Sequence, residues 1–338
     1  MRTLILVNPA AGNHEGARWL PALEALARRP GPGLSAAVEA TRHGEIREQI
    51  AARGHDTDRV VVVGGDGTVR EVLEAVHGLG LAAPVGIVPL GTGNDLARSL
   101  GMCARRPRGV EEILAFATSA QTAVVDLWSI NDRLTFNNYM SLGMDAVVVH
   151  GFNRVRQWIE DHPPWGKRGV YFAVYILVWL RHVRERLPAG GQMAWTGTDG
   201  QRRSVSLARP RVLSVTNTPY YAAGALTAPG ASVGDGALEV TLFANLREYV
   251  ELMAMRVPAL ARLGVQGRWW RARAKDLELR LPAAGCIQAD GEDVTSLLGG
   301  DPTVCVRHRG RVRVLLRGMD DGPKPGRNRP LNPPGVRS

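Results

Sequence analysis

Two glycine-rich runs in the first third of the chain, Gly64-Gly65-Asp66-Gly67-Thr68 and Gly91-Thr92-Gly93-Asn94-Asp95, have the composition of loops that hold phosphate through backbone amides. Glycine admits dihedral angles closed to other residues and lets an anion approach bare N–H groups at the positive end of a helix. The context agrees. Arg59-Val60-Val61-Val62-Val63 reads as a buried parallel strand ahead of the first run, and Val69, Val72, Leu73 and Val76 recur at helical spacing behind it. Asp66 is the odd member, since an anion within an anion-binding loop makes sense only if it orients a metal, a water or a donor group. Ordinary strand-to-helix turns are the alternative reading, and two such loops at matched positions count against it.

A third junction precedes both. Thr3-Leu4-Ile5-Leu6-Val7 reads as a strand, Asn8-Pro9-Ala10-Ala11-Gly12-Asn13 as a turn and Trp19–Arg28 as a helix. Three strand–loop–helix units imply a parallel sheet with ligand loops at the carboxyl ends of its strands. No GxxxxGK[ST] occurs, and the lysines are Lys167, Lys275 and Lys324 alone. A Walker-type or protein-kinase-type lysine is therefore absent from these loops. Arg70 and Arg98 are the cations at hand, either as bidentate phosphate clamps or as members of solvated helix faces.

Acidic residues recur far from the loops. In Asp290-Gly291-Glu292 the glycine permits a tight turn that aims two carboxylates at one cavity, with a plain surface turn as the alternative. Gly234-Asp235-Gly236 reads on its own as a hairpin turn.

Taken together, the motifs resemble the diacylglycerol kinase catalytic family, which is similar to sphingosine and ceramide kinases. The residues that carry the resemblance are Asn8–Gly12, Thr41 with Gly44, Gly64–Thr68 with Glu71, and Pro89-Leu90 with Gly91–Asp95. It continues through Asp126, Asn137–Ala146, Pro219–Gly224, Ala228-Pro229, Ser232–Val240 and Ala289–Glu292, so it spans Thr3 to about Leu316. Arg70 departs from it, standing where bacterial members commonly carry Asn, and the stretch Arg154–Arg186 has no clear counterpart in the shorter enzymes.

The resemblance implies an ATP- and Mg²⁺-dependent lipid kinase that phosphorylates a hydroxyl of a membrane lipid. Asn8, Pro9, Ala10, Ala11, Gly12, Thr41, Gly64, Gly65, Gly67, Thr68, Glu71, Gly91, Thr92, Gly93 and Asn94 would surround the nucleotide. Carried over to the acids, it makes Glu292 the proton acceptor, with Asp290 beside it, and connects Asp66 to the metal–nucleotide complex. Ser232, Asp235 and the carbonyl of Ala237 match the family's structural Mg²⁺ site, which suits hard oxygen ligands. Diacylglycerol is the first expected acceptor and a sphingoid base or ceramide the second. A soluble NAD kinase shares a GGDGT-like loop, but the Gly91–Asp95 and Tyr220–Val240 blocks argue against it; intact Asp66, Asp290 and Glu292 argue against a silent lipid-binding module.

A length of 338 residues suits two domains. The expected layout is an α/β nucleotide-binding domain with a parallel sheet over 1–125, a mainly antiparallel β-sandwich over 126–317 and a disordered tail over 318–338. Strands are expected at Leu134–Tyr139, Ala146–Val149, Arg211–Thr216, Gly236–Phe243, Leu277–Leu281, Thr303–Val306 and Arg311–Leu316. Cys103, Cys286 and Cys305 lack zinc or disulfide spacing. Lys and Arg exceed Asp and Glu by 42 to 32, a net charge of +10, which favours a polyanionic partner. Nucleic acid is not expected, because no nucleic-acid-binding signature occurs. An anionic membrane surface is, because Trp and cations mix at Arg154–Trp158, Trp165–Arg168 and Arg268–Arg271, although partial burial of these Trp residues is an equal alternative. The apolar run Val170–Leu180, flanked by cations, reads as an interfacial helix or as an internal helix covering the second domain. The expected setting is cytoplasmic, peripheral to the inner face of the membrane, with a homodimer left open.

Overall fold

The computed structural model describes residues 1–28, 35–42, 44–53, 56–91, 93–102, 110, 113, 119–161, 167–222, 224–254, 269–283 and 285–316, the side chains of 156–161, 167–169 and 171–172 excepted. Thr92, Cys103, Trp165, Arg268 and the tail expected over 318–338 lie outside the described residues, as do the side chains of Arg156, Trp158, Lys167 and Arg168.

β-Branched and apolar residues build the first sheet. β1 (Arg2–Val7) pairs in parallel with β2 (Ser35–Ala40) and β3 (Arg59–Gly64), and β3 pairs in parallel with β4 (Val85–Pro89). The strands of the middle are buried because helices flank them: α1 (Ala11–Ala27), α2 (Ile46–Arg53), α3 (Asp66–Gly78) and α4 (Asp95–Ser99). Leu4–Val7, Val60–Val63, Val72, Leu73, Val76 and Ile87 meet in one core. Val69, Val72, Leu73 and Val76 are indeed the buried stripe of α3.

Beyond this sheet the pattern turns antiparallel. β5 (Thr122–Ile130), β6 (Leu134–Phe136), β7 (Tyr139–Gly143), β8 (Gly191–Gly197), β9 (Arg202–Leu207) and β10 (Val212–Thr216) contribute to a second core centred on Trp128, Phe136, Met140 and Val215. β11 (Tyr220–Tyr221) and β12 (Ala225–Leu226) form a separate small hairpin. β13 (Leu238–Phe243), β14 (Trp270–Arg280), β15 (Ile287–Ala289), β16 (Glu292–Asp293) and β17 (Thr303–Leu315) complete the order β16-β15-β7-β10-β13-β14-β17-β4-β3-β1-β2. The expected strand at Ala146–Val149 is instead part of α5 (Met144–Asp161). Met144 and Val148, one helical turn apart, are both buried in a third core. That core is covered by α5, α6 (Lys167–His182) and α7 (Leu246–Ala254) through Tyr175, Val178, Trp179, Tyr249 and Leu252.

β17 joins the two halves. Its residues 303–307 pair with β14, 306–315 run antiparallel to β5, and Val314 and Leu315 pair in parallel with Val85 and Gly86 of β4. The boundary expected at 125/126 thus falls within β5, and the end of β17 belongs to the first sheet. At its irregularity stands Gly310, where a Cβ would lie 2.1 Å from the His77 ring, so only glycine lets β17 pass over α3.

Candidate active site

All four parallel strands end at one edge, and the chain leaves each of them into a candidate loop. Leaving β1, the Asn8 Nδ2 donates to Thr68 Oγ1 at 2.8 Å while its Oδ1 accepts the Ala10 N–H at 2.9 Å, tying the first loop to α3. The chain then passes Gly12 (φ 65°), Asn13 and His14 in left-handed conformation before α1 continues. Leaving β2, the Thr41 N–H donates to the Val7 carbonyl at 2.8 Å. Asn8, Pro9, Ala10, Thr41, Thr68 and Glu71 line a cavity of about 330 Å³ together with Arg42 and Ile46, which sequence reasoning missed.

The two glycine loops touch. A Cβ on Gly91 would lie 2.7 Å from the Gly65 Cα, and one on Gly65 would lie 3.1 Å from the Gly91 Cα. Gly67 faces open space, so its lack of a side chain leaves the mouth of the loop unobstructed. Asp66, at the start of α3, accepts the Asn94 N–H at 2.6 Å on Oδ2 and the Asp95 N–H at 3.0 Å on Oδ1. It therefore caps α4 from outside and braces one glycine loop against the other. Burial pushes its carboxyl above the usual range, and the amides of Asn94, Asp95 and Leu96 oppose that rise. The sequence reading connected Asp66 to the metal–nucleotide complex; in the structure each of its two oxygens accepts a loop amide.

Opposite the loops, Asp290 and Gly291 form the two-residue turn between β15 and β16. Both have positive φ, 50° and 84°, the arrangement for which Asp-Gly is favoured in tight hairpins. The turn and the carboxylate pair are thus the same feature. Asp290 is buried, and its oxygens accept the N–H groups of Asn137 (3.1 Å), Asn138 (3.0 Å) and Tyr139 (3.0 Å). Burial pushes its carboxyl up to about 6, against those amides and the positive charge of Arg70. Glu292, two residues on, is exposed, and its carboxylate makes no hydrogen bond or ion pair with the described residues. Asp293 beside it is held by Thr295 Oγ1 at 2.6 Å and by His150 Nδ1 of α5 at 2.5 Å.

Asn138 links the two sides. Its backbone donates to Asp290, and its Nδ2 lies 3.4 Å from Asp66 Oδ1. Its own Oδ1, and both polar atoms of the Asn137 side chain, are buried without a hydrogen-bond partner among the described residues. Such orphaned groups mark a place where water or a polar ligand completes the structure. Of the two arginines singled out above, Arg98 is committed: its Nη2 donates to the Gly93 carbonyl at 3.1 Å, and its guanidinium lies over the Tyr220 ring at 5.7 Å. Arg70 is largely buried and only loosely paired, 3.9 Å from Glu71 and 3.7 Å from Glu74.

Residues 2–130 match the diacylglycerol kinase catalytic domain, and residues 135–293 match the diacylglycerol kinase accessory domain. The chain belongs to the diacylglycerol kinase family. A diacylglycerol kinase of Mycobacterium tuberculosis is 31% identical over 243 residues, 70% of this chain and 71% of that one. Human diacylglycerol kinase zeta is 28% identical over 348 residues, 93% of this chain but 34% of its own length. The crystal structure of a diacylglycerol kinase from Bacillus anthracis shares the fold with a TM-score of 0.60 at 18% identity, covering 93% of this chain and 96% of that one. The protein is accordingly a lipid kinase, and membership implies ATP as its phosphoryl donor.

One family feature is not accommodated. Asp235 Oδ2 is paired with the Arg273 guanidinium at 2.7 Å, and its Oδ1 accepts the Ala237 N–H at 3.1 Å. Arg273 also holds Glu239 at 2.8 Å, because Glu239 and Arg273 face each other across β13 and β14. Asp126, the next nearby carboxylate, accepts from His308 (2.8 Å), Arg311 (2.8 Å) and the Gly236 N–H (2.6 Å). A guanidinium thus neutralises the carboxylate that would ligate Mg²⁺. Ser232, Asp235 and Ala237 do not form a fitting structural Mg²⁺ site here. Sequence reasoning had no access to this, since Arg273 lies 38 residues from Asp235.

Sequence reading matched Asn138 and Asp145 within the Asn137–Ala146 motif without giving either a role, and passed over His150. Asp145, buried at the start of α5, accepts from Ser141 Oγ (2.6 Å), Tyr249 (2.6 Å) and Tyr221, and burial pushes both tyrosines well above their ordinary range. An Asp among apolar residues opening a helix was the available signal.

Proposed function

We propose that the protein transfers the γ-phosphoryl group of ATP, taken up as its Mg²⁺ complex, to the free hydroxyl of diacylglycerol at a membrane surface, giving phosphatidic acid. The observation that carries this reading is that Asn138 bridges the glycine loops and the Asp290–Glu292 hairpin, through Asp66 on one side and Asp290 on the other. In this reading the cavity lined by Asn8, Ala10, Thr41, Thr68 and Glu71 receives the nucleotide. The loops 64–68 and 91–94 offer backbone amides to the phosphates, and Arg70 adds positive charge facing them, in place of a catalytic lysine. Glu292 accepts the proton of the attacking hydroxyl, since it is the one carboxylate of the three with no competing bond among the described residues. Asp66 and Asp290 act as positioning residues, the first for the glycine loops and the second for the strand carrying Glu292.

No helix of the described residues is long and apolar enough to cross a membrane. Contact with lipid is assigned to α6, where Ile176, Leu177 and Leu180 are 37%, 65% and 54% exposed while Tyr175, Val178 and Trp179 pack inward. The inward face is the internal helix of the second reading of Val170–Leu180; the outward face is the one proposed to meet lipid. The Arg268–Arg271 segment is a weaker candidate, because Trp269 is buried against Phe243. Transfer of labelled phosphate from ATP, resolved by thin-layer chromatography across diacylglycerol, ceramide, sphingosine, phosphatidylglycerol and NAD, tests the assignment. Preferential labelling of ceramide, sphingosine or NAD would replace it.

A further inference from the structure

We propose that the hydroxyl of Tyr139 determines acceptor specificity, by donating a hydrogen bond to the carbonyl of the ester next to the free hydroxyl of diacylglycerol. This rests on the reading of the chain as a diacylglycerol-phosphorylating kinase and names the group by which it tells that lipid from others. Tyr139 opens β7 and is fastened to the carboxylate hairpin by both of its backbone groups. Its N–H donates to Asp290 Oδ1 at 3.0 Å, and its carbonyl accepts the Asp290 N–H at 2.9 Å. Its buried ring packs against that of Tyr221, with centroids 4.5 Å apart. The hydroxyl lies 4.0 Å from the point that a Cβ would occupy on Gly291, the residue before Glu292.

Tyr139, Tyr221 and Tyr249 are buried in the same core, and two of them commit their hydroxyls to one carboxylate: Tyr221 and Tyr249 both donate to Asp145. The Tyr139 hydroxyl has no hydrogen-bond partner among the described residues, and it is not sealed from solvent as the unpartnered atoms of Asn137 and Asn138 are. A buried tyrosine ordinarily finds a partner for its O–H, so an open one beside Glu292 calls for a ligand. Burial, and then the negative charges of Asp95, Asp145, Asp66 and Asp290, raise the phenol well above its ordinary range. It stays protonated at neutral pH and offers a donor, so what fits it is an acceptor. In diacylglycerol the carbon beside the reacting hydroxyl carries an ester, whose carbonyl oxygen can only accept. The corresponding carbon of a sphingoid base carries an ammonium group, a donor that leaves the phenol unmatched.

Phosphorylation of a 1,2-diacylglycerol and of the 1,2-dialkylglycerol of the same chain length, in the same detergent micelles, tests the contact. The diether keeps the free hydroxyl and lacks both carbonyls. The unaltered chain should favour the diester by about tenfold in kcat/KM, the scale of one hydrogen bond. In Tyr139→Phe that preference should shrink to about twofold or less, with the KM for ATP and the melting temperature unchanged. Tyr249→Phe, which removes a hydroxyl already engaged by Asp145, should keep the preference and lower the melting temperature. A parent that does not favour the diester, or a Tyr139→Phe variant that still does, would overturn the contact. Loss of the preference in both variants would assign it to packing of the aromatic core and overturn the contact as well. So would a fall in the melting temperature of Tyr139→Phe as large as that of Tyr249→Phe, since the hydroxyl would then be bonded within the protein. A parent that labels neither glycerolipid would overturn the diacylglycerol reading itself, whereas failure of the contact alone leaves both lipids labelled.

Discussion

The glycine loops and the carboxylate hairpin, linked through Asn138, solve opposite problems. On the loop side, two polar side chains are engaged by the protein: Asn8 by Thr68 and Ala10, and Asp66 by Asn94 and Asp95. On the hairpin side, Asp290 is engaged in the same manner, but Glu292 two residues away is exposed and unpaired with any described residue. Carboxylates that take several backbone amides are fixtures of architecture, because removing them strands buried donors. The carboxylate left over is the one available to accept a proton. The three acids of the sequence motifs therefore divide two to one.

Glu292→Gln puts the most weight on that division. It should lower kcat by about 10²–10⁴ while leaving ATP affinity and melting temperature unchanged. Activity within tenfold of the parent, measured in the phosphoryl-transfer assay, would return the role of base to Asp290 or Asp66. Gly65→Val addresses the opposite side: the branched side chain would enter the space of Gly91, and ATP affinity by calorimetry should fall by on the order of 10²-fold. Normal binding by a folded variant would show that the loops need not touch.

Asp290 supplies a prediction in pH. Its carboxyl is raised from 3.8 to about 6 in the folded chain, so the native state holds the proton more tightly than the unfolded state. Stability from this group is complete below about pH 4 and declines as pH rises through 6, in total by roughly 3 kcal/mol at 1.36 kcal/mol per unit. Asp290→Asn should be destabilising throughout, since its amide opposes one of the three N–H groups, with a penalty that shrinks between pH 4 and 6. Denaturant unfolding of both proteins across that range gives the difference directly, and a constant penalty would count against a buried, protonated Asp290. The smallest effect is expected at Arg273. Its ion pairs are half-exposed, so Arg273→Gln should cost about 1 kcal/mol or less. Added Mg²⁺ should raise the melting temperature of this variant, with Asp235 and Glu239 released, and not that of the parent. A parent equally stabilised by Mg²⁺ without nucleotide would reinstate the structural metal at Asp235.

Local features of the site were legible because their causes are local. A run of four valines before a glycine can only be a buried strand meeting a turn, and Asp290-Gly291 announces a tight hairpin. What joins distant segments was not legible. Nothing near Asp66 signals that its partners are amides 28 and 29 residues ahead, and nothing near Asp235 signals Arg273. Ala146–Val149 misled because four small and β-branched residues fit a strand or a buried helix face equally well, a choice that a linear pattern does not settle. The β8–β9 hairpin and α7 went unread for a related reason, as β9 is largely exposed and α7 is a short helix whose burial depends on β12 and β13.

β17 touches β14, β5 and β4 within thirteen residues. During synthesis the nucleotide-binding sheet leaves the ribosome some two hundred residues before the strand that covers the open side of β4. That sheet must wait with the outer edge of Val85 and Gly86 unpaired, and that ladder closes only when Val314 and Leu315 arrive. The half of the enzyme made first is thus the half whose edge is sealed last, and a ribosome that stalls before Thr303 releases a chain with a sticky parallel sheet rather than a truncated but finished domain.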